Sequence, residues 1–408
     1  MAQRLRHTLV LEPGFGPPSP YAWSGLPESP ETTERVAHRL GLHGEGGLLV
    51  PDRGYGHRLK SVLSRRSLVR RGLRHGELEV LSRVAALLVN EHTGNIQVLD
   101  REQRPLDPQA LMLLLRVDPD GVRQSVDEQI QQHQQRLEGL VTLHHCTPAP
   151  GEQPLLSPMA AEEPEPAMLP FRAGLWERFL ALWSARRRAC LASRRRQWQE
   201  QQQQVRLAWL QRLHRHAGQF ERLRRLYQAA RQGQRQALEG VLAHRLSMVP
   251  WPRVTQVAFQ LSDDLRGLTL EVDVPDPALF PYTKLRPHPR GAGVLVTWLS
   301  DGARRRLHRE HAHATGVRLI GEALAAIPQV HWLVLSAHGR GRAGDPVRGH
   351  YLYSVRVERG GWRGLVFEEF SSHPPERILS GFEYRQTLDG QGNWRPVQPF
   401  STQPPEAL

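Results

Sequence analysis

The 408-residue chain has only two cysteines, Cys146 and Cys190, and only two lysines, Lys60 and Lys284. Two thiols cannot build a disulfide framework, nor by themselves a zinc site. They point to a reducing, cytoplasmic setting. No apolar run reaches the roughly 18 residues needed to span a bilayer, so no membrane partner is expected. The opening residues Met1 to His7 lack the apolar core of a secretory leader. Catalytic signatures are also missing. There is no G-x-S-x-G elbow, no G-x-x-x-x-G-K-[ST] phosphate loop and no H-E-x-x-H zinc motif. No cofactor and no resident metal is expected.

What the chain does contain is arginine. The formal net charge is +13, and 52 of the 54 basic residues are arginines. A GC-rich genome produces such a bias by codon composition, yet each guanidinium keeps its charge. The charge is also local. From Arg172 to Arg245 there are 17 arginines against Glu177, Glu200, Glu221 and Glu239, a net of +13, so the remainder is close to neutral.

The punctuation divides the chain into four stretches. Residues 1–146 read as an α+β region. It holds a strand over Thr8–Glu12, a helix beginning near Ser29, a strand at 47–51 and a basic helix over 58–71. His92-Thr93-Gly94-Asn95 then reads as a hairpin turn between Ala85–Val89 and Ile96–Leu99, followed by helices over 108–115 and 122–140. Seven prolines (148, 150, 154, 158, 164, 166 and 170), with three glutamates among them, make 147–170 an extended linker. Residues 171–247 read as an Arg/Gln-rich helical arm. Trp198, Val205, Trp209, Leu213, Phe220, Leu223 and Tyr227 recur at three- and four-residue steps, which places them on one stripe. Gln201 to Gln204 and three glycines predict two or three helical pieces or an imperfect coiled coil. Residues 248–403 read as a second α+β domain, with strands over 254–261, 268–274, 294–298, 331–336, 351–357 and 365–367. Helices are expected over 304–326 and 375–380. The fold class is therefore α+β, with two such regions joined by the linker and the arm.

Three groups of residues offer chemistry. Arg186, Arg187, Arg188, Arg194, Arg195, Arg196, Trp198 and Trp209, with Trp176 and Trp183, combine cations for phosphate with aromatics for stacking. The same tryptophans suit a helix–helix seam, so the arm is read as an oligomerisation or nucleic-acid-binding element. Arg340 and Arg342 lie in Gly339–Gly344, which fits G-x-G-x-x-G. A strand follows instead of a helix, so the segment reads as a basic hairpin loop whose arginines are candidates for phosphate contact. Glu271 and Asp273 are weak catalytic candidates. Two residues apart on a strand, they share a face with Asp276 nearby, as a metal-dependent nuclease would require. The E-x-K strand of such enzymes is missing, because Lys284 falls in a proline-rich stretch read as a loop. His308, Glu310, His311 and His313 read as a solvated helix face, and His144-His145-Cys146 diverge as neighbours do.

The C-terminal third resembles a group of uncharacterised bacterial proteins. The resemblance rests on Val249-Pro250-Trp251-Pro252, Leu270–Pro275, Gly321–Pro328 with Val330, and Val334–Ala337. Tyr351–Val357, Gly381–Arg385 and Pro396–Phe400 complete it. In that group a charged, Gln-rich helical segment precedes a domain of unknown function, so the resemblance implies no activity and no catalytic residues. The reading is an intracellular binding or scaffold protein. The alternative is a metal-dependent nuclease or defence-type enzyme built on Glu271 and Asp273.

Overall fold

The computed structural model describes residues 7–11, 57–58, 75–151, 171, 184–275, 277, 280–289, 291, 293–339 and 350–401. The helix expected near Ser29, the strand at 47–51, most of the 58–71 helix and most of the linker fall outside them.

In chain order the elements begin with β1 (His7–Leu11), β2 (His57–Arg58), α1 (His75–Arg83), β3 (Ala86–Val89) and β4 (Ile96–Leu99). Next come α2 (Pro108–Val117), α3 (Pro119–Thr142), α4 (Ala185–Arg231), α5 (Arg235–Met248) and β5 (Thr255–Leu261). Then follow β6 (Gly267–Val274), β7 (Thr283–Pro287), β8 (Val294–Trp298), α6 (Asp301–Ala326), β9 (Trp332–Gly339) and β10 (Tyr351–Glu358). The last are α7 (Arg359–Arg363), α8 (Pro375–Leu379), β11 (Glu383–Leu388) and β12 (Trp394–Arg395). This is an α+β protein.

Local chemistry explains many of these boundaries. Asp107 caps α2 by accepting from Gln109 N at 2.8 Å, and Asp118 caps α3 by accepting from Gly121 N at 3.2 Å. Each helix then opens on a proline, whose missing N–H costs nothing there. The β3–β4 turn closes on Asn90, whose Oδ1 accepts from His92 N and Thr93 N. Gly94 supplies the positive φ of 73°. A Cβ there would lie 2.6 Å from Val294 O, so the turn needs glycine twice over.

The contacts group the chain differently from the sequence. Residues 1–151 and 242–408 form one compact unit, and 152–241 form the other. The 1–146 region and the 248–403 domain are therefore not separate bodies. β1 pairs antiparallel with β5, and the main sheet runs β1-β5-β6-β9-β10-β11-β12. Its central pair, β6 and β9, is parallel, with Leu270 opposite Leu335 and Asp273 opposite His338. α6 makes the crossover between them. Alternation decides the faces. Leu268, Leu270, Val272 and Val274 are buried on one side, while Thr269, Glu271 and Asp273 on the other are partly open. The β7–β8 ribbon stands apart from this sheet and packs its Leu285, Val294 and Val296 into the core of β3, β4, α2 and α3.

Residues 365–367 are not a strand; a 3-10 turn occupies Phe367–Ser372, with Phe370 buried against Trp362. Lys284 is not in a loop but in β7, whose backbone pairs with β8.

α6 is the spine of this unit, buried almost throughout from His308 onward. His308, His311 and His313 are core residues, not a solvated face. The reason is that α6 is covered from several sides. His311 Nδ1 meets the Leu140 carbonyl of α3 at 3.0 Å, and His308 Nε2 meets Pro275 O at 2.9 Å. His313 Nε2 lies 2.9 Å from Gln386 Oε1 and 2.8 Å from the Tyr384 hydroxyl of β11. Three histidines on one helix thus point to three different neighbours.

Candidate functional site

The carboxylates Glu271 and Asp273 project together from β6, as their spacing requires. The parallel register sets Ser336 beside Glu271 and His338 beside Asp273. Tyr351 donates its hydroxyl to Glu271 Oε1 at 3.2 Å, and His338 Nδ1 stands 3.8 Å from Asp273 Oδ1. The result is a polar patch of Glu271, Asp273, His338 and Tyr351 near the carboxyl ends of the two parallel strands. His338 and Tyr351 carried no motif in the sequence. Only the pairing of β6 with β9 and of β9 with β10 brings them in.

This patch occupies the open part of the outer sheet face. Beside it, the C-terminal tail covers the part of that face formed by β9 and β10. Phe400 packs on Trp332 and Val334, its N–H donates to Ser354 Oγ at 3.1 Å, and the guanidinium of Arg385 lies 4.0 Å from its ring centre. Among the described residues, no group of three or more His, Cys, Asp or Glu side chains is placed to hold a metal ion. Lys284 is in the separate β7–β8 ribbon, so it does not complete the set with Glu271 and Asp273. Asp276, Arg340 and Arg342 lie outside the described residues. The strands flanking the 340–349 segment pair antiparallel, the arrangement of a hairpin rather than of a strand entering a helix.

The second cluster is α4. It runs without interruption for 47 residues, about 70 Å at 1.5 Å per residue. Gln201 to Gln204 do not break it, and neither does Gly218. The break comes at Gly233, where φ is 77° and two carbonyls of the last turn are capped. Gly233 N donates to Ala230 O and Gln234 N to Ala229 O, the Schellman pattern that needs a left-handed residue. α4 carries thirteen arginines against Glu200 and Glu221, a net of +11. Arg186, Arg187, Arg188, Arg194, Arg195 and Arg196 are all exposed, and as consecutive triplets they surround the helix. Trp198 and Trp209 are half-buried, with Leu191, Leu213 and Phe220 on the same side. The rings of Trp198 and Phe171 are 6.1 Å apart. Trp176 and Trp183 lie outside the described residues. Arg245, which the sequence assigns to the same basic segment, is not on that surface. It is buried and bonds Glu322 of α6 at 2.9 Å, with Arg318 on the other carboxylate oxygen at 2.8 Å.

His144 is buried with its Nε2 3.1 Å from His373 O, and burial lowers its pKa below the usual histidine value. Cys146 and Cys190 are exposed free thiols. Among the described residues no helix is long and apolar enough to cross a membrane. Comparison with known protein families and with curated proteins finds no match.

Proposed function

We propose that this chain is a non-catalytic binding protein whose basic arm, α4, docks onto a polyanion, with the phosphate backbone of nucleic acid as the best chemical fit. The observation that carries this reading is the charge of α4, +11 over 47 residues with the arginine triplets in solvent. Arginine presents a planar fork of donors that matches phosphate, and its charge cannot be titrated away. Consecutive triplets face every direction, which suits contact with a backbone rather than reading of base edges. A reducing, cytoplasmic setting suits the two exposed thiols.

A second reading has its own observation. Trp198, Trp209 and Phe220 are spaced by eleven residues. Eleven residues make three turns of a helix with 3.67 residues per turn, so the three rings form a nearly straight row that favours a right-handed helix pair. Self-association through that row is compatible with phosphate binding by the arginines around it.

The test is fluorescence anisotropy of the full-length protein with labelled duplex DNA and single-stranded RNA across a salt series. We expect the logarithm of affinity to fall steeply with the logarithm of salt concentration, by about 0.9 per phosphate contact on duplex DNA. Replacing Arg186, Arg187, Arg188, Arg195 and Arg196 with Gln should weaken binding uniformly across sequences and flatten that slope. Salt-insensitive binding, or an unchanged slope in the variant, overturns the reading. Strand cleavage in magnesium that is lost on Asp273→Ala would instead support the nuclease alternative.

A further inference from the structure

A groove of about 480 Å³ opens on the surface between α3, β7 and the start of α6, away from the carboxylate patch. Both helices line it with the same spacing. α3 contributes Gln134, Leu137, Glu138 and Val141, and α6 contributes Ala303, Arg306, Leu307 and Glu310. The intervals i, i+3, i+4 and i+7 put each quartet on one helix face. Leu137, Val141, Leu285 and Leu307 make the floor aliphatic, with no aromatic ring to stack on a base. Lys284, Arg286, Arg306, Glu138 and Glu310 stand around it, and among the described residues none of the five makes an ion pair. Lys284, Arg286, Arg306 and Glu138 are exposed and Glu310 is partly buried, so charges of both signs reach the groove from solvent.

The charges are also sorted by position. α3 and α6 run in the same direction. His311 meets Leu140 O, and further along Arg318 bonds Cys146 O. At the other end, His133 donates from Nε2 to Thr283 O at 2.7 Å and Gln134 from Nε2 to Leu285 O at 3.5 Å. Lys284 and Arg286 therefore flank the level of Gln134, and Arg306 comes one turn before Glu310. Glu138 and Glu310 lie toward the Leu140–His311 contact. The cationic and anionic ends are about one helical turn apart along the helices, about 6 Å.

We propose that this groove binds a small aliphatic zwitterion. Its carboxylate would sit among Lys284, Arg286 and Arg306, its methylene chain on the leucine floor, and its ammonium at Glu138 and Glu310. The volume lies within the range of small-molecule sites. The groove belongs to the unit that does not contain α4, so the proposal stands independently of the arm's function.

Isothermal titration of the full-length protein with 6-aminohexanoate tests it, with hexanoate and hexylamine as single-charge controls. We expect saturable binding of 6-aminohexanoate, with each control at least about tenfold weaker because it forfeits one end. Arg306→Gln and Glu310→Gln should each weaken the zwitterion by a similar factor, and each should bring its affinity toward that of one control. Ala303→Phe, which fills the groove without changing charge, should abolish binding. Circular dichroism melting of each variant establishes that it is folded. Absence of saturable binding by the wild-type protein overturns the proposal. So does equal binding of hexylamine, or affinity unchanged in both Arg306→Gln and Ala303→Phe.

Discussion

Arg359 shows how one side chain can close a helix from a distance. It is buried, and its guanidinium donates to the carbonyls of Leu324 in the last turn of α6, Ile327 at its C-cap and Val330 in the turn that follows. Burial lowers its pKa to about 10, still far above neutrality. Arg359→Ala should cost about 3 kcal/mol, because the Leu324 and Val330 carbonyls lose the guanidinium and Ile327 O keeps only the Val330 N–H, and denaturant melting reads it directly. Arg359→Lys should recover only part of this, since one ammonium cannot span the same fork. Glu322 is a parallel case. With Arg245 and Arg318 both on its carboxylate, Glu322→Ala should cost about 3–5 kcal/mol by leaving two buried cations unpaired.

The buried histidines give a pH prediction. Burial lowers His311 and His244 to about 4 and His313 to about 3, so all three are neutral in the folded protein near pH 7. Unfolded, they take up protons below about 6.5. Their contribution is therefore complete above pH 6.5 and is lost as pH falls toward 4 and then 3, by at most about 1.4 kcal/mol per unit for each. Urea unfolding at pH 7 and pH 5 should show the acid loss, and His313→Gln should make it shallower. Glu91 adds to the loss at lower pH. Burial raises its pKa, but the hydrogen bond from His133 and the Arg136 guanidinium more than offset that, bringing it down to about 2. Its share fades between about pH 4.5 and 2.

At the scale of elements, α4 is governed by its own sequence. Long arginine and glutamine side chains favour helix, and the glycine inside it and the glycine just past its end have opposite effects. Gly218 sits in the helix interior with nothing within 4 Å of a built Cβ. Gly218→Ala should stabilise the arm by about 0.5–1 kcal/mol, seen as a higher midpoint in thermal circular dichroism. Gly233 holds the left-handed cap, so Gly233→Ala should act in the other direction. The histidines of α6 teach the converse. His308, His311 and His313, interleaved with arginines, have the composition of a wet surface. They are core because α3, β11 and β12 converge on that helix from remote parts of the chain. No local pattern encodes a residue's burial when its cover arrives from 71 to 171 positions away.

At the scale of the molecule, the main sheet is built from both ends of the sequence. β1 covers the edge of β5, and α3 lies along α6. A fragment of residues 248–403 would therefore carry an unpaired β5 edge and bare the α6 face around His311. We expect that fragment to aggregate or to lack cooperative unfolding, whereas the full chain melts cooperatively; calorimetry of both distinguishes the outcomes. The linker marks a real change in composition, but it is not the border between two separately folded regions.

Fold class, most strand and helix positions in the C-terminal half, the β3–β4 turn and the basic arm were legible in the residues themselves. These are local properties, set by side-chain alternation, capping groups, glycine and charge within a few positions. The pairing of β1 with β5, the His338 and Tyr351 partners of the carboxylates, and the five-charge groove were decided only by tertiary structure. Each depends on contacts between distant segments. Their free energy comes from surface buried jointly by both partners, and neither partner's sequence records it alone.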